Sequence, residues 1–126
     1  MITLEEVMVM HTISVSRYGG AEGVRDMDGL LAAIGRPFQT FGGEFLYKDV
    51  FEQAAAAGES IIMNHPFVDG NKRTGWAIMY YLLRLQQFRI DASEDDAYDF
   101  VVKLATGEYR FEEAVEWLRA HSTPTA

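Results

Sequence analysis

No cysteine occurs among the 126 residues, which excludes disulfides and thiol chemistry and leaves any catalysis to other groups. The compartment stays open on this count, because a chain without cysteine folds in either redox environment. Bases are also scarce: Lys and Arg total 11 against 19 Asp and Glu, a formal net charge of -8. That balance repels nucleic acid and anionic membrane unless a local basic patch overrules it, and Lys72 with Arg73 makes only a small patch. No apolar run reaches the length of a membrane span. The start, Met-Ile-Thr-Leu-Glu-Glu, lacks the basic residues and unbroken apolar stretch of a secretory leader. The expected location is the cytoplasm. With no internal repeat, low-complexity tract or linker, one domain over residues 1–121 is expected, followed by a frayed tail at 122–126.

What is present suffices for one sizeable core, at 48% hydrophobic and 13% aromatic residues. Thr3 with Glu6 forms a capping-box pattern, and Leu4, Val7, Met8, His11, Val15 and Tyr18 recur at helical spacing until Gly19-Gly20. Asp26 caps a short second helix ended by Gly35 and Pro37. Residues 37–47, PFQTFGGEFLY, flank Gly42-Gly43 with aromatic residues, as a hairpin-like flap or an irregular loop does. A third helix from Asp49 ends before Asn64, which precedes a proline. The fourth runs from near Asn71 to about Gln87. It is apolar all round from Trp76 to Leu83 apart from two tyrosine hydroxyls, and is expected at the buried centre, with Arg84 and Arg89 at its basic end. Ser93 with Asp96 starts a fifth helix that stops at Gly107, and a sixth covers Phe111 to His121. The expected architecture is all-α, about six helices around a buried central one.

The interval "NHPFVDGNKRTGW", residues 64–76, concentrates hydrogen-bonding and charged groups at a junction that needs only a turn. A bare helix–loop–helix connection with Asn71 as cap would not require them. Delivered onto the N-terminus of the fourth helix, the loop meets unpaired amides and a partial positive charge, a setting that binds phosphate. Gly70 allows a tight turn and close backbone approach. The amides of residues 70–73 form a candidate anion nest, to which Lys72 adds a point charge and Arg73 a planar fork. Asp69 has the wrong sign for phosphate but suits Mg2+, which takes one or two carboxylates plus phosphate oxygens. His65 is the candidate base, histidine being the residue type that exchanges a proton near neutral pH. Phe67 anchors the loop in the core. Base, cation ligand and anion cradle are the parts that phosphoryl or nucleotidyl transfer needs.

The string from His65 to Arg73 resembles the signature loop of the Fic/Doc family, H-x-F-x-[D/E]-[A/G]-N-[G/K]-R, at every specified position. Arg17-Tyr18-Gly19-Gly20 is similar to the end of helix one in the Doc branch, and the resemblance extends over essentially the whole chain. It implies transfer from ATP to a hydroxyl of a target protein, with His65 as base, Asp69 as Mg2+ ligand, and Gly70, Asn71, Lys72 and Arg73 as the phosphate-binding segment. AMP-transferring members usually have Gly-Asn-Gly-Arg and a second arginine three positions later, where this chain has Lys72 and Trp76. The lysine matches the Doc branch, whose small toxins are thought to move the γ phosphate onto a translation elongation factor, of the elongation factor Tu kind. A Doc-like kinase that inhibits translation is therefore the expectation. AMP transfer is the alternative, since Gly70 stands where Doc itself has alanine, and an inactive partner-binding domain is an alternative of another class.

Inhibitory helices of the family follow [S/T]-x-x-x-E-[G/N]. The nearest string here begins with Tyr18 and ends Glu22-Gly23 in a glycine-rich turn, so restraint is expected from an antitoxin whose disordered segment folds on this domain. Elsewhere, His11 is expected to be a hydrogen-bonded core histidine, His121 inert, and Trp76 and Met79 core residues. The flap is either an ordinary loop or a site of strand addition for the target. Glu94-Asp95-Asp96 fits a solvated first helical turn.

Overall fold

A computed structural model describes residues 1–125 and shows six helices, four of which start at caps read in the sequence. Helix α1 (Leu4–Tyr18) opens on a complete capping box, in which the Thr3 hydroxyl accepts from the Glu6 amide and the Glu6 carboxylate from the Thr3 amide. Asp26, Asp49 and Ser93 cap α2 (Met27–Gly35), α3 (Val50–Asn64) and α5 (Glu94–Thr106) in the simpler one-sided way. Helix α4 spans Asn71–Leu85 and α6 spans Phe111–Ala120. Among the described residues no helix is long and apolar enough to cross a membrane.

The innermost helix is α3, not α4 as its apolar run suggested. Every α3 residue from Ala54 to Ile62 is buried, whereas in α4 Trp76, Ala77 and Tyr81 are half-buried and Tyr80 is 41% exposed. The four consecutive alanines and Gly58 leave α3 so slim that neighbours close around it on all sides, while in α4 Tyr80 stays exposed and the Tyr81 hydroxyl donates to the Glu6 carboxylate. A Cβ on Gly58 would collide with the Met79 side chain, and one on Gly75 would come within 2.5 Å of Ile62 Cγ1 and 3.3 Å of the Gly58 carbonyl. The two helices therefore cross almost backbone to backbone, a contact only glycine allows at these positions.

One charged group lies inside this core. Glu59 is 4% exposed and receives Arg36 at 2.9 Å and Arg110 at 3.1 Å. Arg36, in a short 3-10 turn (Arg36–Phe38) after α2, also donates to Ser60 Oγ at 2.9 Å and to the Tyr47 hydroxyl at 3.0 Å. Burial opposes the Arg36 charge, but the bonds to Tyr47 and Glu59 hold its pKa above the ordinary value. A buried carboxylate with two cationic partners is tolerated where an unpaired one would not be.

The segment 37–47 resolves into a hairpin: β1 (Thr40–Phe41) pairs antiparallel with β2 (Glu44–Phe45) across Gly42 and Gly43, both at positive φ. The tail differs from expectation. Ser122–Pro124 form β4, antiparallel to β3 (Phe88–Ile90) with Ile90 opposite Ser122. Gln87, at φ 65°, breaks the chain away from α4, so that helix ends at Leu85 and Arg89 sits in β3 bound to Asp91 at 3.0 Å. The expected basic end of α4 thus keeps Arg84 alone. The pairing joins segments more than thirty positions apart, a distance over which local pattern carries no signal.

Two outcomes follow for stability. Gly75→Ala should destabilise the fold by about 1–3 kcal/mol through overpacking at the crossing, measured by urea unfolding. Asp49 caps α3 and also binds Arg119 of α6 at 2.7 Å. Burial pushes its pKa up, yet the Glu52 amide and Arg119 outweigh that and leave it below the usual carboxylate range. A carboxylate whose folded pKa is depressed stabilises fully above its unfolded value, about 3.9, and loses that contribution as pH falls through the lower folded value. Asn at position 49 keeps a cap but no charge, so the stability gap between wild type and Asp49→Asn should be full at pH 6 and narrow below about pH 4.

Candidate functional site

Residues 65–70 must turn the chain from the end of α3 into the start of α4, and each end of the turn uses a left-handed residue: His65 at φ 50°, ψ 57° and Gly70 at φ 76°, ψ 16°. For glycine this costs nothing, but for His65 the conformation costs about 1–2 kcal/mol and must be held by its surroundings. Arg25 holds it. Its guanidinium donates through Nε to the His65 carbonyl at 2.9 Å and through Nη2 to the Asn64 carbonyl at 3.0 Å, with a further bond from Nη2 to His65. A cation here also suits the C-terminal dipole of α3.

The middle of the loop is fixed by burial. Phe67 is fully buried and stacks on the His11 ring at 3.9 Å and 7°. The His11 Nε2–H donates to the Asp69 carbonyl at 2.8 Å, which makes His11 the hydrogen-bonded core histidine that was expected and gives it a task in shaping the loop. Asn71 is not the helix cap. Gly70 takes that position, and the Asn71 side chain turns back to accept from the Phe67 amide at 2.9 Å and donate to the Phe67 carbonyl at 3.0 Å. Because no side chain caps α4, the backbone amides of Asn71, Lys72 and Arg73 meet no acceptor among the described residues. The phosphate-binding role expected of Asn71 can therefore come only from its backbone amide.

The remaining motif groups face outward. The Asp69 carboxylate accepts from the Gly70 amide at 2.9 Å and the Ala21 amide at 3.3 Å. Gly20 packs so tightly beneath it that a Cβ there would lie 2.7 Å from Oδ2. Lys72 is exposed and forms no hydrogen bond among the described residues, while the Arg73 guanidinium rests 4.2 Å from the centre of the Tyr18 ring. His65, Asp69, Gly70, Asn71, Lys72 and Arg73 all line one open cleft of about 450 Å3, whose far wall comprises Trp76 and, from α5, Tyr98, Val101 and Val102. Asp69 is the one acid on that lining, and no cluster of three metal-binding side chains occurs among the described residues. A Mg2+ ion fits only the arrangement in which Asp69 supplies one ligand and phosphate and water the others.

A strap from the α1–α2 connection was not foreseen. Val24 bridges to Phe67, the Val68 amide donates to the Gly23 carbonyl at 3.0 Å, and the amides of Arg25 and Asp26 donate to the Pro66 carbonyl at 2.8 and 3.0 Å. Arg25, Gly20 and Tyr18 thus touch His65, Asp69 and Arg73, contacts that motif spacing did not show. The available signal was a glycine-rich stretch, 19–23, ending in one isolated cation before the Asp26 cap. His121, by contrast, stacks on Trp117 at 3.9 Å and donates from Nδ1 to the Trp117 carbonyl at 2.8 Å, away from the cleft.

A helical domain presenting this loop at a helix N-terminus is the Fic fold, and a sequence profile of the Fic/DOC family matches residues 1–83. The chain belongs to the Fic/Doc family, in its Doc branch. It is 38% identical over 104 residues to Toxin Doc of Mycolicibacterium smegmatis, covering 81% of this chain and 78% of that one. It is also 33% identical over 118 residues to Protein kinase doc of Escherichia phage P1, covering 94% and 92%.

Removing the clamp should loosen the loop without unfolding the protein. Arg25→Ala is expected to cost about 1–3 kcal/mol and to speed amide exchange in the 65–70 loop while exchange in the Ile78–Leu83 half of α4 stays unchanged, as hydrogen-exchange mass spectrometry would show.

Proposed function

We propose that this chain is a Doc-type toxin that transfers the γ phosphate of ATP to a hydroxyl of a translation factor, one resembling elongation factor Tu. The observation that carries the reading is the meeting, in one cleft, of His65 and Asp69 with three free amides at the α4 N-terminus and the cations Lys72 and Arg73. The names of the two relatives, Toxin Doc and Protein kinase doc, support it.

In this reading His65 accepts the proton of the target hydroxyl as its oxygen bonds to the γ phosphorus. The bond from that phosphorus to the bridging oxygen breaks, and ADP leaves with the electron pair. The amides of Asn71 to Arg73 hold phosphate oxygens in place, and Lys72 and Arg73 offset the charge that gathers as the bridge breaks. Asp69 would hold Mg2+, which would supply neutralisation of phosphate charge. Arg25 and His11 act through the backbone, keeping His65 and Asp69 at their spacing. The cytoplasm is where such a target is found. An antitoxin with a segment that folds on this domain is the partner that would restrain the toxin.

AMP transfer remains the second reading, favoured by Gly70, which stands where Doc itself has alanine. Both readings meet one experiment: incubation with a bacterial translation extract and ATP labelled in either the α or the γ phosphate. Only γ label should be transferred, and His65→Ala should lower the rate by about 10²- to 10⁴-fold. Transfer of α label overturns the kinase assignment in favour of AMP transfer, and no transfer of either label supports a binding domain without turnover.

A further inference from the structure

Asp69 and Arg73 carry opposite charges, stand four positions apart and line the same cleft. Charges so placed attract each other, and a pair between them would take the carboxylate from any cation and the guanidinium from any phosphate. Yet neither enters an ion pair among the described residues. The two are held apart.

Both holds come from the end of α1 and the turn that follows it. The Arg73 guanidinium lies 4.2 Å from the centre of the Tyr18 ring, well inside the range over which a ring face attracts a cation. Tyr18 is the last residue of α1, is 62% exposed and does not itself line the cleft. What it offers the site is a seat for that cation. On the other side, the Gly70 and Ala21 amides donate to one oxygen each of the Asp69 carboxylate, at 2.9 and 3.3 Å. The Gly20 backbone stands against the same carboxylate, since a Cβ there would lie 2.7 Å from Oδ2, an approach only glycine permits.

We propose that Tyr18, Gly20 and Ala21 act as a charge separator. Tyr18 seats Arg73 away from Asp69, while Gly20 and the Ala21 amide seat Asp69 away from Arg73, so the cleft does not close on an internal ion pair. The proposal rests on the reading that the cradle takes phosphate, and adds what keeps it open to phosphate. Tyr18 is a positioning residue in this arrangement, because it acts through Arg73. The task is within its means: a cation–π contact and an exposed ion pair are of similar strength, so a single ring face suffices to tip the choice.

Calorimetric titration of the full chain with inorganic tripolyphosphate, at low ionic strength and without divalent cation, tests this. Tyr18→Leu should weaken binding about fivefold as Arg73 turns to Asp69, whereas Tyr18→Phe, which keeps the ring face, should bind as wild type does. With Asp69→Asn in place Arg73 has no carboxylate to turn to, so adding Tyr18→Leu there should change the affinity less than about twofold. An equal loss in both backgrounds means that Tyr18 acts on the loop or on phosphate directly, and overturns the separator. Unchanged affinity in Tyr18→Leu, or as large a loss in Tyr18→Phe, overturns it too. All three outcomes leave the cradle standing, because wild type still binds. No binding by wild type overturns the cradle and the separator with it. Tyr18 is largely exposed, so its substitution does not threaten the core, and circular dichroism confirms the fold of each variant. Phosphate transfer enters no arm of the test, so a failed separator and a failed kinase assignment are told apart.

Discussion

The close crossing of α3 and α4 at Gly58 and Gly75 is the constraint on which the rest of the structure depends. With no side chain on either glycine, Met79 packs onto Gly58 and Ile62 onto Gly75, and the two helices set each other's position to within the tolerance of van der Waals packing. That in turn fixes where α3 stops and α4 starts, and hence the gap that residues 65–70 must bridge. The same slimness lets helices and turns close around α3, so that the buried Glu59 is met by Arg36 from the edge of the core and by the largely exposed Arg110. Core packing and loop geometry are two results of one contact.

The loop itself is held from three directions: Arg25 on the strained His65 carbonyl, His11 beneath Phe67 and on the Asp69 carbonyl, and Asn71 on both backbone groups of Phe67. Each of these residues satisfies the loop's own polar groups. Consequently the amides of Asn71 to Arg73 and the Lys72 side chain stay unpaired among the described residues, and the Asp69 carboxylate binds only two loop amides. Loop groups left unpaired need neighbours that hold everything else; here His11 and Asn71 are buried in helices, and Arg25 sits in the strap just before α2.

Much of this was legible in the sequence because it is local. Caps at Thr3, Asp26, Asp49 and Ser93 lie within three residues of what they bind, and the signature from His65 to Arg73 is contiguous. His11 was placed correctly because a lone histidine on an apolar helical face has few other ways to be satisfied. Four features were not legible, for a common reason. The burial order of α3 and α4 depends on what packs against each. The turn of Asn71 toward Phe67 depends on Gly70 occupying the cap. The strap of residues 20–26 and the β3–β4 pairing join distant segments. In each case the outcome depends on which partner is taken, near at hand for Asn71 and far along the chain for the other three, and pattern alone does not make that choice.

The strap gives the signature a property that its contiguity hides. Its left-handed histidine, its carboxylate and the backbone of Pro66 and Val68 are all shaped by a stretch some forty positions earlier in the chain, between α1 and α2. The nine residues are therefore not a portable cassette: grafted onto another helix–turn–helix they would keep their chemistry and lose their shape. What is inherited as a unit is the pair of segments, one written in reactive groups and the other in glycines and a single arginine.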